Sequence, residues 1–212
     1  VVSKPNIKGL DKFKGKVMHS AEWDHSYDLT GKRVASIGTG ASAIQYCPEI
    51  APQVAQLHVF QRTPAWIVPR DDRAYLGIEK AAFARFPLLR KLHRARFYWS
   101  NEARLLGAFN PKAAKVLEAV SKLLLRVQVP DAALRAKLTP DYTIGCKRVL
   151  ISNKWFPMFN RANVELVTDG IQEITATGIV TKDGREHVWE IITRFTFTRE
   201  QQLETQSLGR GE

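Results

Sequence analysis

Three textures of apolar and polar positions succeed one another along this chain. Val34 to Ile37 and Gln56 to Phe60 are short β-rich runs with a helix-forming stretch between them. Pro48 and Pro52 should end or kink that helix early. Thr63 to Arg70 reads as extended and irregular. From Ala74 to Leu138 the period becomes helical. Leu88, Leu89, Leu92, Phe97 and Trp99 mark one segment; Val116, Leu117, Val120, Leu123, Leu124 and Val127 mark another. Pro87, Pro111 and Pro130 each fall at a helix start. These stripes are expected to pack in the core or against each other rather than anchor in a membrane. After Thr139-Pro140-Asp141 short strands return: Val149-Leu150-Ile151, Val164 to Val167, Ile171 to Ala176, Gly178 to Thr181 and Glu186 to Ile192, the last two joined at Asp183-Gly184. Beyond Ile192 the pattern fails, and Thr193 to Glu212 is expected to be frayed or disordered.

The junction between the first strand and its helix carries chemistry. Gly38-Thr39-Gly40-Ala41-Ser42-Ala43 follows the G-x-G-x-x-G/A order of a dinucleotide-binding βαβ unit. Gly38 permits the tight turn, Gly40 lets the backbone approach a pyrophosphate, and Ala43 allows close helix–strand packing. The helix N-terminus then offers N–H groups to the anion. The second strand ends in Gln61-Arg62-Thr63. An acidic residue there would accept from the ribose of NAD; Arg62 instead suits the 2′-phosphate of NADP. The competing reading is a tight strand–helix turn without a ligand.

Charge changes the picture only locally. The net charge is +11, and between Arg85 and Lys137 stand 12 Lys/Arg against 3 Asp/Glu. No recognisable nucleic-acid module accompanies them, so a solvated helical face is expected, with a weak peripheral contact to an anionic membrane surface as the alternative. No apolar run is long enough to span a bilayer and no signal peptide is visible. Cys47 and Cys146 are isolated, without metal-ligand spacing, and fit a cytoplasmic location. No metal site is expected.

Phe13-x-Gly15-x-x-x-His19-x-x-x-Trp23, followed by Asp24, resembles the fingerprint of Baeyer–Villiger-type flavoprotein monooxygenases, within the flavin-containing monooxygenase superfamily. Gly38 to Ala43, Phe60-Gln61-Arg62-Thr63-Pro64, Lys147-Arg148 and Asn160-Arg161-x-Asn163-Val164 continue the similarity, which covers roughly Pro5 to Ile192. The resemblance implies NADPH and FAD as cofactors and O₂ as co-substrate. It implies oxygen insertion beside the carbonyl of a small-molecule ketone, or onto a heteroatom. It implies that Lys147 and Arg62, helped by Thr63, hold the 2′-phosphate. Arg148 would sit by the flavin and stabilise the anionic peroxide, and His19 would link domain movement to cofactor placement.

The fold expected is α/β: a Rossmann-type parallel sheet binding NADPH, with a helical insertion and part of a FAD domain. Residues 1–30 would be linker and fingerprint, 31–73 the first part of the NADPH domain, 74–140 the insertion, 141–192 the remainder and the return toward the FAD domain, and 193–212 the tail. The family's FAD-binding glycine motif belongs upstream of Val1, and the last twenty residues do not match. A truncated or frame-disrupted form of a larger enzyme is the expectation. A stand-alone NADP(H)-binding module is the first alternative and a basic nucleic-acid-binding protein the second.

Overall fold

The computed structural model describes residues 7–70 and 72–194, without the side chains of 103–109, 111 and 194. Its centre is β2 (Arg33–Ile37), where Val34, Ala35 and Ser36 have no exposed surface. Around it lie β1 (Lys16–His19), β3 (Gln56–Phe60), β6 (Val164–Val167) and β10 (Ile191–Arg194). They form a parallel sheet in the order β1-β10-β2-β3-β6. Side chains alternate across it, as the two-residue period of a strand requires. Val34, Leu57, Val59 and Ile191 face one core, Ala35, Phe60, Val167 and Ile192 the other.

The first face is covered by α1 (Ala43–Ile50), through Ala43, Ile44, Cys47 and Ile50, and by α6 (Trp155–Met158), through Trp155 and Phe156. Pro48 lies inside α1, which stops two residues later. The Asn163 amide donates to the carbonyls of Ala51 and Val54 at 2.8 and 2.9 Å and so satisfies the chain leaving the helix. The second face is covered by an antiparallel sheet rather than by helices: β7 (Ile171–Ile174), β8 (Gly178–Thr181) and β9 (Glu186–Val188).

Two expectations are corrected here. The stretch Glu186 to Ile192 is two strands, not one. At the break, Trp189 N–H donates to Thr177 O, and Glu190 exchanges bonds with Arg33, its N–H to Arg33 O and its carboxylate accepting from Arg33 N–H. The chain thereby passes from the small sheet into the large one. The new strand runs on through Thr193 and Arg194, paired on both sides, beyond the point where the sequence pattern fails. Residues 195–212 lie outside the described residues.

The helical stretch comprises α2 (Gly77–Arg85), α3 (Pro87–Phe109), α4 (Pro111–Gln128) and α5 (Ala132–Leu138). Pro87 and Pro111 open their helices, and Asp131, just after Pro130, caps the last. The second correction concerns their apolar stripes. α3 turns inward through His93, which meets Phe83 and Tyr75 of the preceding segment, and Phe97, which packs on His93. α4 turns inward through Ala114, Ser121 and Leu125. Leu88, Leu92 and Trp99 on α3, and Val116, Val120, Leu123 and Val127 on α4, share the i, i+4, i+11 spacing on the opposite sides. They are exposed, Trp99 at 67% and Val127 at 73%. Periodicity marks a helix with an apolar stripe; it does not say what covers that stripe.

Candidate functional site

Gly38 has φ 101°, a backbone conformation that a side chain would strain, and its N–H donates to Phe60 O at 3.0 Å. The chain turns there from β2 into α1. Ile44 N–H returns to Gly40 O, and the N–H groups of Gln45 and Tyr46 to Ser42 O. The Ser42 side chain makes no capping hydrogen bond, and Ala43 is fully buried. The Gly38–Ser42 loop therefore carries small side chains only.

The loop stands where the sheet's strand order reverses, with β3 and β6 on one side and β10 and β1 on the other. The crevice outside the carboxyl ends at such a point is the binding place of open α/β sheets. One row across the sheet joins His19, Arg194, Ile37, Phe60 and Val167. Arg62, exposed, and Thr63, half-buried, leave this row at the end of β3. Thr39 Oγ1 donates to Thr63 O at 3.4 Å, so the two loops lean on each other.

The fingerprint residues divide by role. Phe13 is buried against Ala35, Phe60 and Ile192. Gly15 has no room for a side chain: a β-carbon would lie 2.5 Å from Glu190 O and 2.6 Å from the Phe13 ring. Trp23 packs on Tyr46 of α1, with ring centroids 5.2 Å apart. Between them Lys16 Nζ meets Asp24 Oδ2 at 2.6 Å; that bond, with the bonds from Ser26, holds the Asp24 carboxyl down at about 2. His19 is the one that reaches the crevice row. Its Nδ1 accepts from Ala21 N–H, while its Nε2 is buried without a partner among the described residues, the kind of orphan a ligand satisfies. An open hollow of about 400 Å³ lined by Trp23, Tyr27, Leu29 and Ile50 lies at the far end of α1 from the glycine loop.

Lys147 and Arg148 are exposed and precede β5 (Leu150–Ile151), which pairs with β4 (Ile67–Val68) away from the main sheet. Lys147 Nζ sits 4.8 Å from the centroid of the Tyr142 ring, and the Tyr142 hydroxyl donates to Pro64 O. Tyr142 thus ties Lys147 to the segment carrying Arg62 and Thr63. Arg148 is not joined to the glycine loop by any described contact. Trp155, Phe156 and Phe159 are core, and Asn160 and Asn163 hold backbone carbonyls. Sequence reasoning missed two polar clusters on the faces of the main sheet: Ser36, Tyr46, Cys47 and Thr193 on the α1 face, and His58, His187 and Trp189 on the other. Single polar residues within apolar runs were the available signal. Among the described residues no group of His, Cys, Asp or Glu could hold a metal ion.

Residues 2–131 match the model of a family described as flavin-binding monooxygenase-like. The chain belongs to this family. Within it, a Baeyer-Villiger monooxygenase of Pseudomonas aeruginosa is 51% identical over 183 residues, covering 86% of this chain and 35% of that protein. Among solved structures, an oxidized steroid monooxygenase bound to NADP is 31% identical, with a TM-score of 0.75, covering 91% of this chain and 44% of that one. OTEMO in complex with FAD and NADP is 28% identical, with a TM-score of 0.75, covering 92% and 45%. The chain spans about a third of the length of the curated relatives it matches. Lys147 and Arg148 lie beyond the stretch matched by the flavin-binding monooxygenase-like model.

Proposed function

We propose that this chain carries the NADPH-binding part of an NADPH- and FAD-dependent monooxygenase that uses O₂ to oxygenate a small-molecule ketone or a heteroatom. The observation that carries the reading is the glycine loop at the strand-order reversal, with Arg62-Thr63 leaning on it through Thr39. The relatives' names and bound cofactors support the same reading. NADPH bound here would supply a hydride. The backbone of Gly38 to Ala43 would receive its pyrophosphate, with no acidic side chain to repel it. Arg62, Thr63 and Lys147 would hold the 2′-phosphate, and Arg62 in particular gives a planar, permanently charged fork. His19 Nε2 would give the crevice a fixed polar group. Arg148 would place a cation beside the flavin. In this reading residues 31–73 and 141–192 make the nucleotide domain, 74–140 is its helical insertion, and 1–30 joins it to a FAD domain.

Titration calorimetry of the chain with NADP⁺ and NAD⁺ tests the nucleotide half. Tighter binding of NADP⁺ is expected. Equal affinity would remove the role of Arg62, and no binding of either would remove the reading. NADP⁺ binding without flavin binding in the full-length protein would favour a stand-alone NADP(H) module. Two secondary readings have their own support. The exposed apolar residues of α3 and α4, set among Arg90, Lys91, Lys115 and Arg126, support a weak peripheral contact with anionic lipid, tested by co-sedimentation with anionic against neutral vesicles. No helix among the described residues is long and apolar enough to cross a membrane, and both cysteines are free, which fits a cytoplasmic location.

A further inference from the structure

One polar chain runs through the sheet directly beneath the glycine loop, and its direction is determined. Thr193 Oγ1 donates to the carbonyl of Ala35 at 3.2 Å, since a carbonyl can only accept. Its proton is then spent, so the Tyr46 hydroxyl, 3.2 Å away, donates to it. Ser36 Oγ, 2.7 Å from Tyr46 Oη, must therefore donate to Tyr46. Cys47 Sγ donates to Ser36 at 3.3 Å. Every proton has one acceptor. Ser36 and Thr193 are register partners on β2 and β10, the two strands that flank the reversal. Tyr46 belongs to the first turn of α1, its N–H closing that turn on Ser42 O. The outer side of its ring rests against Trp23 of the fingerprint. Burial pushes the Tyr46 phenol above its ordinary range and the Cys47 thiol up to about 12, so both keep their protons.

We propose that Tyr46 is a positioning residue for the pyrophosphate site. Its hydroxyl, shared between Ser36 and Thr193, and its ring, held by Trp23, fix the height and rotation of the first turn of α1 over the carboxyl ends of β2 and β10. The proposal rests on the reading of the glycine loop as a dinucleotide site. Tyr46 itself touches no phosphate in this account. It sets where the loop's N–H groups point, which matters because hydrogen bonds weaken steeply with misalignment. The fingerprint thereby acts on the nucleotide from outside the crevice, through Trp23 and Tyr46.

The test is calorimetric titration of the chain and its variants with NADP⁺ and with NAD⁺, together with the ³¹P spectrum of bound NADP⁺. Tyr46→Phe should weaken both nucleotides by the same factor, about threefold to tenfold, the loss expected from one misaligned hydrogen bond. The preference between them should not change. The bound pyrophosphate resonances should shift while the 2′-phosphate resonance stays. Thr193→Val should act in the same direction, and Thr193→Ser, which keeps the hydroxyl, should restore the original affinity. Unchanged affinity in Tyr46→Phe, a loss confined to NADP⁺, or an equal loss in Thr193→Ser would each overturn the proposal while leaving the dinucleotide site standing. If the unmutated chain binds neither nucleotide, both fall together.

Discussion

Replacing Gly15 by alanine should be costly out of proportion to the single methyl added. The new β-carbon would sit 2.5 Å from the carbonyl oxygen of Glu190 and 2.6 Å from two atoms of the Phe13 ring, where ordinary contact begins at 3.4 Å. Neither neighbour can retreat cheaply. Glu190 O accepts from Lys16 N–H at 3.0 Å, the Glu190 N–H is tied to Arg33 O, and its carboxylate accepts from Arg33 N–H. Phe13 is packed into the core against Ala35 and Ile192. Overpacking of this kind costs about 1–3 kcal/mol. Losing the Lys16–Glu190 bond adds about 0.5–1.5 kcal/mol. The reduced freedom of the unfolded chain returns about 0.4–1 kcal/mol. The net expectation is a loss of about 1–4 kcal/mol, centred near 2, read as a drop of roughly 1 M in the urea midpoint. Tryptophan fluorescence is the natural probe, since Trp189 lies in the same cluster. Gly77→Ala is the matched control. A β-carbon there meets nothing within 4 Å, and Gly77 opens α2, so the midpoint should stay or rise. A Gly15→Ala midpoint within about 0.2 M of the unmutated chain, some 0.2–0.6 kcal/mol, would refute the packing account of this fingerprint glycine.

Other expectations concern charge. Arg62→Ala should narrow the preference for NADP⁺ over NAD⁺ by about one to two decades, the value of a charge-assisted hydrogen bond, and calorimetry with both nucleotides would show an unchanged ratio if Arg62 plays no part. In the proposed NADPH- and FAD-dependent monooxygenase, Lys147→Ala should raise the NADPH concentration needed for half-maximal rate. Arg148→Ala should instead let NADPH be consumed with little oxygenated product; product yield that still tracks NADPH use would remove Arg148 from the chemistry. His58 gives a pH signature. Burial, partly offset by the Glu165 carboxylate at 3.2 Å and reinforced by His187, lowers its pKa from 6.5 to about 4. The unfolded chain takes up that proton first, so the stability this histidine contributes is complete above pH 6.5 and is lost as pH falls toward 4. The loss is about 3 kcal/mol. A His58→Leu variant should show a flatter urea midpoint between those pH values, and parallel curves would exonerate His58.

The parallel strands, the glycine loop and the helix starts at Pro87 and Pro111 were legible because each depends on local stereochemistry: a two-residue alternation, a small residue at a turn, a fixed φ. The break at Trp189-Glu190 was not, because it is made by Arg33 and Thr177, both distant in sequence. The shared hydroxyl of Tyr46 was hidden for the same reason. Nothing near Thr193 announces a partner at Ser36. The exposure of Leu88, Leu92, Val116 and Val127 was misread because periodicity reports the geometry of a helix and not its surroundings.

The place of β10 has a consequence for how such a chain is made. The strand that separates β1 from β2 is supplied roughly 150 residues after β2, so at about 5–20 residues per second a ribosome takes on the order of ten seconds or more to deliver it. Throughout that interval β1 lacks the partner it has in the folded sheet, and the edge of β2 that β10 will cover has its N–H and C=O groups open. The glycine loop at the end of β2 is synthesised early but gains its second wall late. Nucleotide at the proposed site would therefore stabilise the fold only after Ile191 to Arg194 have left the exit tunnel, and a nascent chain stalled before that point should be a client of chaperones.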